Sequence, residues 1–319
     1  MSTQPNNPAW GPNNPHPLSC LKTELVWEGK YDEYGNRRPV KLPASPLPLQ
    51  RIETIDEPRD REKTTQLKLF NEVAYNQKSH HDDFRNLLIW GDNKLAMAAL
   101  LERFRGKVDL IYIDPPFDVR ADFTMDIHLG EEDDAVHKEQ SILEAVAYRD
   151  TWGKGTDSYL HMMYERMILM RDLLSERGSI LLHCDYHVNH WIQVIMDDVF
   201  GLGERRSGTE PGMRNEIIWG YGGGGAPRRT YQRKHDNLLW YSNGSNWIFN
   251  VQRRPYSEKT LQRGLTQVKG PDYELNDEGA ALQTWWTGSE VQKILSPTAY
   301  ENLKFPTQKP ESLFNTFAN

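Results

Sequence analysis

The run VDLIYI, Val108 to Ile113, ends at Asp114 and is followed at once by Pro115, Pro116 and Phe117. No other stretch restricts the fold so much. Apolar side chains fall on both sides of the run, as in a parallel strand covered on both faces. Neither proline can donate to a sheet ladder or carry a helix onward. The chain therefore leaves a buried strand abruptly and presents a carboxylate and an aromatic ring beside each other at the strand's end.

The flanking sequence supplies a sheet for that strand. NLLIW (86–90), stopped by Gly91 and Asp92, reads as another short strand, and KLAMAALLERF then sets Leu95, Met97, Ala98, Leu101 and Phe104 at helical spacing. Tyr159 to Ser175 reads as a long helix closed by Arg177 and Gly178. SILLHCD, NEIIWGY and NLLWYS add three further strands. Strands alternating with helices predict an α/β fold with a doubly wound sheet, its ligands at the carboxyl ends of the strands.

Around this core the chain divides by composition. Residues 1–63 read as an extended arm and linker: the first 17 are rich in Pro and Asn and are expected to be disordered, Leu25 to Val40 suggests a short hairpin, and Pro43, Pro46, Pro48 and Pro58 keep the chain extended. Residues 64–249 form the expected catalytic core, 250–297 a short region of weaker pattern, and 298–319 the start of a further helix motif. A chain of 319 residues with 2 Cys, Cys20 and Cys184, is long enough for a sizeable core and is not a disulfide framework. No run reaches the length of a membrane span and the N-terminus has no apolar export segment, so a cytoplasmic protein with no membrane partner is expected.

The net charge of -7 hides two opposed blocks. Residues 118–150 hold ten acids against three bases, and 203–272 hold twelve bases against six acids. A basic block of that kind suits a phosphate backbone, although two ordinary solvated surfaces would give the same count.

The Asp114–Phe117 segment has the makings of a base-sized slot. An aromatic amine such as adenine's is a weak nucleophile because its lone pair is delocalised into the ring. Acceptors that bond the amino hydrogens draw the nitrogen out of plane, and the Asp114 carboxylate with the Pro115 carbonyl could supply two. Phe117 would stack on an extruded base. A plain strand followed by a Pro-Pro turn is the alternative.

NLLIWGDN, DLIYIDPPFD, GSILLHCD, NEIIWGY, HDNLLWYS, a WW pair and FPTQKPESL, in this order from about Asn86 to Leu313, resemble the beta-arranged DNA amino-methyltransferases, among them the modification subunits of type III restriction systems. The resemblance implies a Rossmann-like methyltransferase fold, S-adenosylmethionine as cofactor, double-stranded DNA as partner, and direct methyl transfer to the exocyclic amine of adenine within a restriction-modification or related system. It assigns the catalytic motif to Asp114, Pro115, Pro116 and Phe117. Asp92 matches the acidic position near the adenosyl end of the cofactor, and as a residue type it also suits a helix N-cap. Thr307, Gln308 and Lys309 match the motif flanking the cofactor's methionine part. Residues 250–297 fall where the family places target recognition.

Arg228, Arg229, Arg233 and Lys234, with Arg253 and Arg254, are the candidate DNA-contacting bases, and such contacts position a duplex rather than read it. Gly222 to Gly225 form either a loop that closes over DNA or a plain linker. His183, Cys184, His187 and His190 have spacings open to a metal, but they fall at a strand end and helix start, and no metal is expected. Glu131 to Asp134 reads as a solvated loop. The family's Gly-rich cofactor strand, expected after the PTQKPE helix, has no counterpart in the sequence, so the fold is expected to be incomplete at the C-terminus. Two readings follow: an adenine-specific enzyme completed by a second polypeptide or restriction subunit, or a catalytically silent remnant that binds DNA or a partner subunit.

Overall fold

The computed structural model describes residues 24–45, 47–52, 86–116, 125–128, 135–138, 155–205, 208–221, 228–264, 277–287, 302 and 308–318. Phe117, Glu131 to Asp134, Gly222 to Gly225 and Thr307 lie outside them. The chain separates into two compact units, one of Met1–Val40 with Phe104–Asn319 and one of Lys41–Arg103.

The larger unit is built on a five-stranded sheet. The expected strand β1 (Val108–Ile113) is followed by two short strands, β2 (Met125–His128) and β3 (Ala135–Lys138), that pair only with each other. Helix α2 (Thr156–Leu173) runs directly into β4 (Leu174–Cys184). Helix α3 (Asn189–Phe200) then leads to β5 (Gly212–Gly220) and β6 (His235–Ser242). A two-residue strand, β9 (Trp285–Trp286), completes the order β1-β4-β6-β5-β9. β1 runs parallel to β4, while β6 is antiparallel to both β4 and β5. Among the described residues β1 is an edge strand.

Strand alternation divides the core between two faces. On one, Leu239 and Tyr241 of β6 are buried, and the Tyr241 hydroxyl donates to Asp197 of α3 at 2.7 Å. On the other, Ile217, Trp219, Leu238 and Trp286 surround Leu313 of α5 (Glu311–Ala318), and Tyr112 of β1 stacks on Phe317. Both faces are thus covered by helices, as a doubly wound sheet requires. The same face holds His183, because Tyr112 pairs with Leu181 and His183 with Leu238.

Two elements differ from expectation. The helix ends at Leu173, and the polar segment 174–178 already belongs to the strand because Leu174 pairs with Val108. Gly178 makes this approach feasible: a β-carbon there would lie 2.8 Å from the carbonyl oxygen of Val108. Gly178→Ala is expected to lower stability by about 1–3 kcal/mol through that overlap, read as a lower thermal midpoint.

In the smaller unit, residues 86–90 are extended but form no strand, and Leu88 is 100% and Trp90 89% exposed. Apolar composition can nominate a strand, but only a hydrogen-bonding neighbour makes one. The helix that follows, α1 (Asn93–Phe104), forms as its spacing predicts. The small ladder of β7 (Arg253–Arg254) with β8 (Ala280–Ala281) and the short α4 (Glu258–Gly264) lie in the chain region of weaker pattern.

The expected hairpin reduces to a tight turn with one bridge, Tyr31 to Arg37, whose bend is held by Asp32 accepting from the backbone amides of Tyr34 and Asn36. It is anchored to the body by Lys30. That ammonium is 1% exposed, 2.5 Å from Glu24 and 3.2 Å from Asp198 of α3, and sits over the ring of Trp27.

Candidate active site

The carboxyl end of β1 and β4 meets the start of β6 and the end of β5, because β6 runs antiparallel and pairs Asn237 with Cys184. Asp114 emerges here from β1, its side chain 28% exposed, with Pro115 buried behind it. The ammonium of Lys309, just before α5, donates to Asp114 Oδ2 at 2.7 Å. Two residues 195 positions apart therefore form one ion pair. Lys309, expected beside the cofactor, stands against the catalytic motif's carboxylate, and Gln308 precedes it half-buried.

A second layer of polar groups lies under Asp114. His183 of β4 is fully buried, and its Nδ1 is 2.8 Å from the Tyr112 hydroxyl and 3.9 Å from Asp114 Oδ1. Its Nε2 is 3.0 Å from Asp236 Oδ2, and the Tyr221 hydroxyl donates to Asp236 Oδ1 at 3.0 Å. Burial, reinforced by Asp114 and Asp236, pushes the Tyr112 hydroxyl far above the usual phenol range, and burial with Asp236 does the same to Tyr221. Both phenols therefore stay protonated and serve as donors. Residue patterns gave one clue to this cluster: His183 is a polar position at the end of the apolar run SILLHC. Nothing in the sequence brought it together with Asp236.

The remaining candidates divide. Arg228, Arg229 and Arg233 are exposed immediately before β6, at the same end of the sheet as Asp114, and Lys234 is half-buried. The guanidinium of Arg233 lies 4.1 Å from the centre of the Tyr186 ring. Arg253 is engaged by Glu278 at 3.0 Å and by the Gly279 carbonyl, within the β7–β8 ladder that also carries Arg254. Asp92, in the smaller unit, caps α1 by accepting from the backbone amides of Lys94 and Leu95 at 2.8 and 3.3 Å. The histidines of residues 183–190 do not converge: His183 faces Asp236, while His187 pairs with Asp185 at 2.6 Å. Cys184 is buried on the opposite face, and burial holds its thiol well above the ordinary range. No helix among the described residues is long and apolar enough to cross a membrane.

A covered α/β sheet that delivers an Asp-Pro-Pro segment to the carboxyl end of its strands belongs to the class of doubly wound α/β proteins, which place their ligand sites there. Within that class, residues 108–317 match the DNA methylase family (N6_N4_Mtase), and the chain belongs to it. It is 33% identical over 153 residues to the StyLTI Mod subunit, a type III restriction-modification enzyme of Salmonella typhimurium strain LT2, covering 47% of this chain and 22% of that protein. It is 27% identical over 231 residues to the EcoP15I Mod subunit, also of a type III restriction-modification enzyme, from Escherichia coli, covering 70% of this chain and 33% of that one. The chain thus spans about a third or less of the length of these relatives. Among solved structures, the M1.HpyAVI–SAM complex is similar at 15% identity with a TM-score of 0.38, over 71% of this chain and 72% of that one. At that level the likeness adds nothing to the fold argued above.

Proposed function

We propose that the chain transfers a methyl group from S-adenosylmethionine to the exocyclic amine of adenine in double-stranded DNA, as the catalytic part of a restriction-modification system. The observation that carries this reading is Asp114, half-open at the end of β1, which is half-buried to exposed rather than buried on both faces as its composition suggests, with Pro115 and Pro116 directly after it and Lys309 paired to its carboxylate. Asp114 and the Pro115 carbonyl accept from the target amine, and Phe117 stacks on the flipped base. Arg228, Arg229, Arg233 and Lys234 contact phosphates beside the site, with Arg253 and Arg254 in the short target-recognition region.

When bound, the cofactor supplies an electrophilic methyl on a sulfonium cation. The Asp114 carboxylate suits the reacting end of such a group, and Lys309 holds that carboxylate in place until the amine arrives. Asp92, Thr307 and Gln308 are proposed to hold other parts of the cofactor. Among the described residues no strand pairs with the outer edge of β1, and we propose that a further strand supplied by a second polypeptide such as a restriction subunit pairs there. The same open edge favours a second reading, a silent chain that binds DNA or its partner through these surfaces.

Calorimetry with S-adenosylmethionine, followed by transfer of labelled methyl to a duplex containing adenine, separates the two. Micromolar cofactor binding with label recovered in N6-methyladenine is the expected result. A folded chain that binds no cofactor and transfers no label, alone or with its restriction subunit, would overturn the enzymatic reading and leave the binding one.

A further inference from the structure

The proposed role of Asp114 leaves one group of residues unused. His183, Asp236, Tyr112 and Tyr221 are supplied by four different strands or strand ends, and they meet beneath the carboxylate. Stability alone is a weak account of them, because a buried ionic pair is often matched or bettered by apolar residues of the same volume. Trp219 lies edge-on to the imidazole, with centroids 5.5 Å apart, and closes the cluster from the β5 side.

One arrangement of hydrogens satisfies every contact. Nε2–H of His183 donates to Asp236, which also accepts from Tyr221, and Nδ1 accepts from the Tyr112 hydroxyl. The basic nitrogen of the ring then faces the site, 3.9 Å from Asp114 Oδ1. The charged and titratable groups around the ring are Asp114 and Tyr112 from the β1 side, Asp236 from β6 and Tyr221 after β5. Lys309 lies beyond Asp114, and Cys184 is the next residue on β4, directed to the other face.

We propose that His183 is the second acceptor for the proton released by the target amine, Asp114 being the first, and that Asp236 and Tyr221 are positioning residues for it. This rests on the methyltransferase reading. As the amine nitrogen bonds the methyl carbon, the carbon–sulfur bond breaks with its electron pair passing to sulfur, and the nitrogen is left with a surplus proton. Asp114 takes that proton, and its neutral acid no longer balances Lys309. Closing the gap to Nδ1 by about 1 Å makes a hydrogen bond, through which the acid passes its proton to the ring. The Tyr112 hydrogen rotates away, Asp114 regains its charge opposite Lys309, and the imidazolium is held between two carboxylates. The proton leaves to water when the site opens.

The test uses the full chain labelled with 15N-histidine, with His183→Gln to assign the ring signals. The expected spectrum shows the neutral Nε2–H form. In Asp114→Asn the pH at which the ring takes up its second proton should fall by about one unit or more, since a negative charge near it is gone. An identical titration in Asp114→Asn, or a ring that takes up no second proton between about pH 5 and 9, would overturn the proposal. This readout does not need methyl transfer, so an inactive wild type would sink the enzymatic reading and the acceptor role with it, while an active wild type with an unchanged titration would overturn the role of His183 alone. In an active chain, His183→Gln should lower kcat by on the order of 10–100-fold with KM for DNA unchanged. A raised KM at constant kcat would reduce His183 to a packing residue.

Discussion

Asp114→Ala abolishes methyl transfer, with kcat falling by on the order of 10³-fold, while duplex binding in a gel-shift assay is retained. In the proposed mechanism the carboxylate is the acceptor for the amine, and Ala offers nothing in its place. The alanine chain should remain folded, because Asp114 lies at the mouth of the site and the strand beneath it is fixed by its ladder with β4. Asp114→Asn keeps the shape and one acceptor but loses the charge opposite Lys309, and should retain a small part of the activity. Full activity in Asp114→Ala would remove the catalytic assignment, and loss of duplex binding as well would make the carboxylate a structural element.

Lys30→Met is expected to lose about 3 kcal/mol of stability, at the low end for breaking a buried ion pair because both carboxylates are about a fifth exposed. For a chain of 319 residues that corresponds to a fall of roughly 4–5 °C in Tm. Met preserves the apolar stem beside Trp27 and Tyr164, so the effect reports the ammonium alone, its ion pairs together with its hydrogen bond to the Leu25 carbonyl. Burial alone would raise the Glu24 carboxyl, but the hydrogen bonds from Lys30 and Tyr31 and the charges of Lys30 and Arg37 outweigh it and hold it below the usual range. A carboxyl lowered in this way contributes stability at neutral pH that is lost as pH falls through the carboxylate range. The gap between wild type and Lys30→Met should therefore narrow in acid, and a gap constant with pH would exclude the ionic explanation.

The parts of this fold legible in the sequence are those governed by local rules. Val108–Ile113 announces itself by apolar residues on both faces and by the prolines that end it, and α1 by its spacing. Residues 174–178 were not legible as strand, since only Leu174 pairs, with Val108, and Ser175 to Gly178 fall in a break of register before Ser179 pairs with Leu110. The reverse failure occurs at Leu87–Trp90, where β-compatible residues have no strand beside them among those described. The site divides in the same way. Asp114 was readable from its neighbours in the chain, but its ion pair with Lys309 and the contact of His183 with Asp236 span 195 and 53 residues. Sequence distance of that order carries no geometry unless a topology is already in hand.

β1 leads into Asp114, the proposed acceptor, and among the described residues it is bonded along one side only. Half of its main-chain groups are thus secured by β4, and the other half are answerable to whatever lies alongside. A strand held in this way opens more readily than the doubly paired β4 and β6. The attachment of a neighbour along it would stiffen the carboxylate's seat without touching the chemistry. Activity would then depend on assembly through the rigidity of a single strand, so that methylation is coupled to the presence of a partner by mechanics rather than by a shared catalytic group.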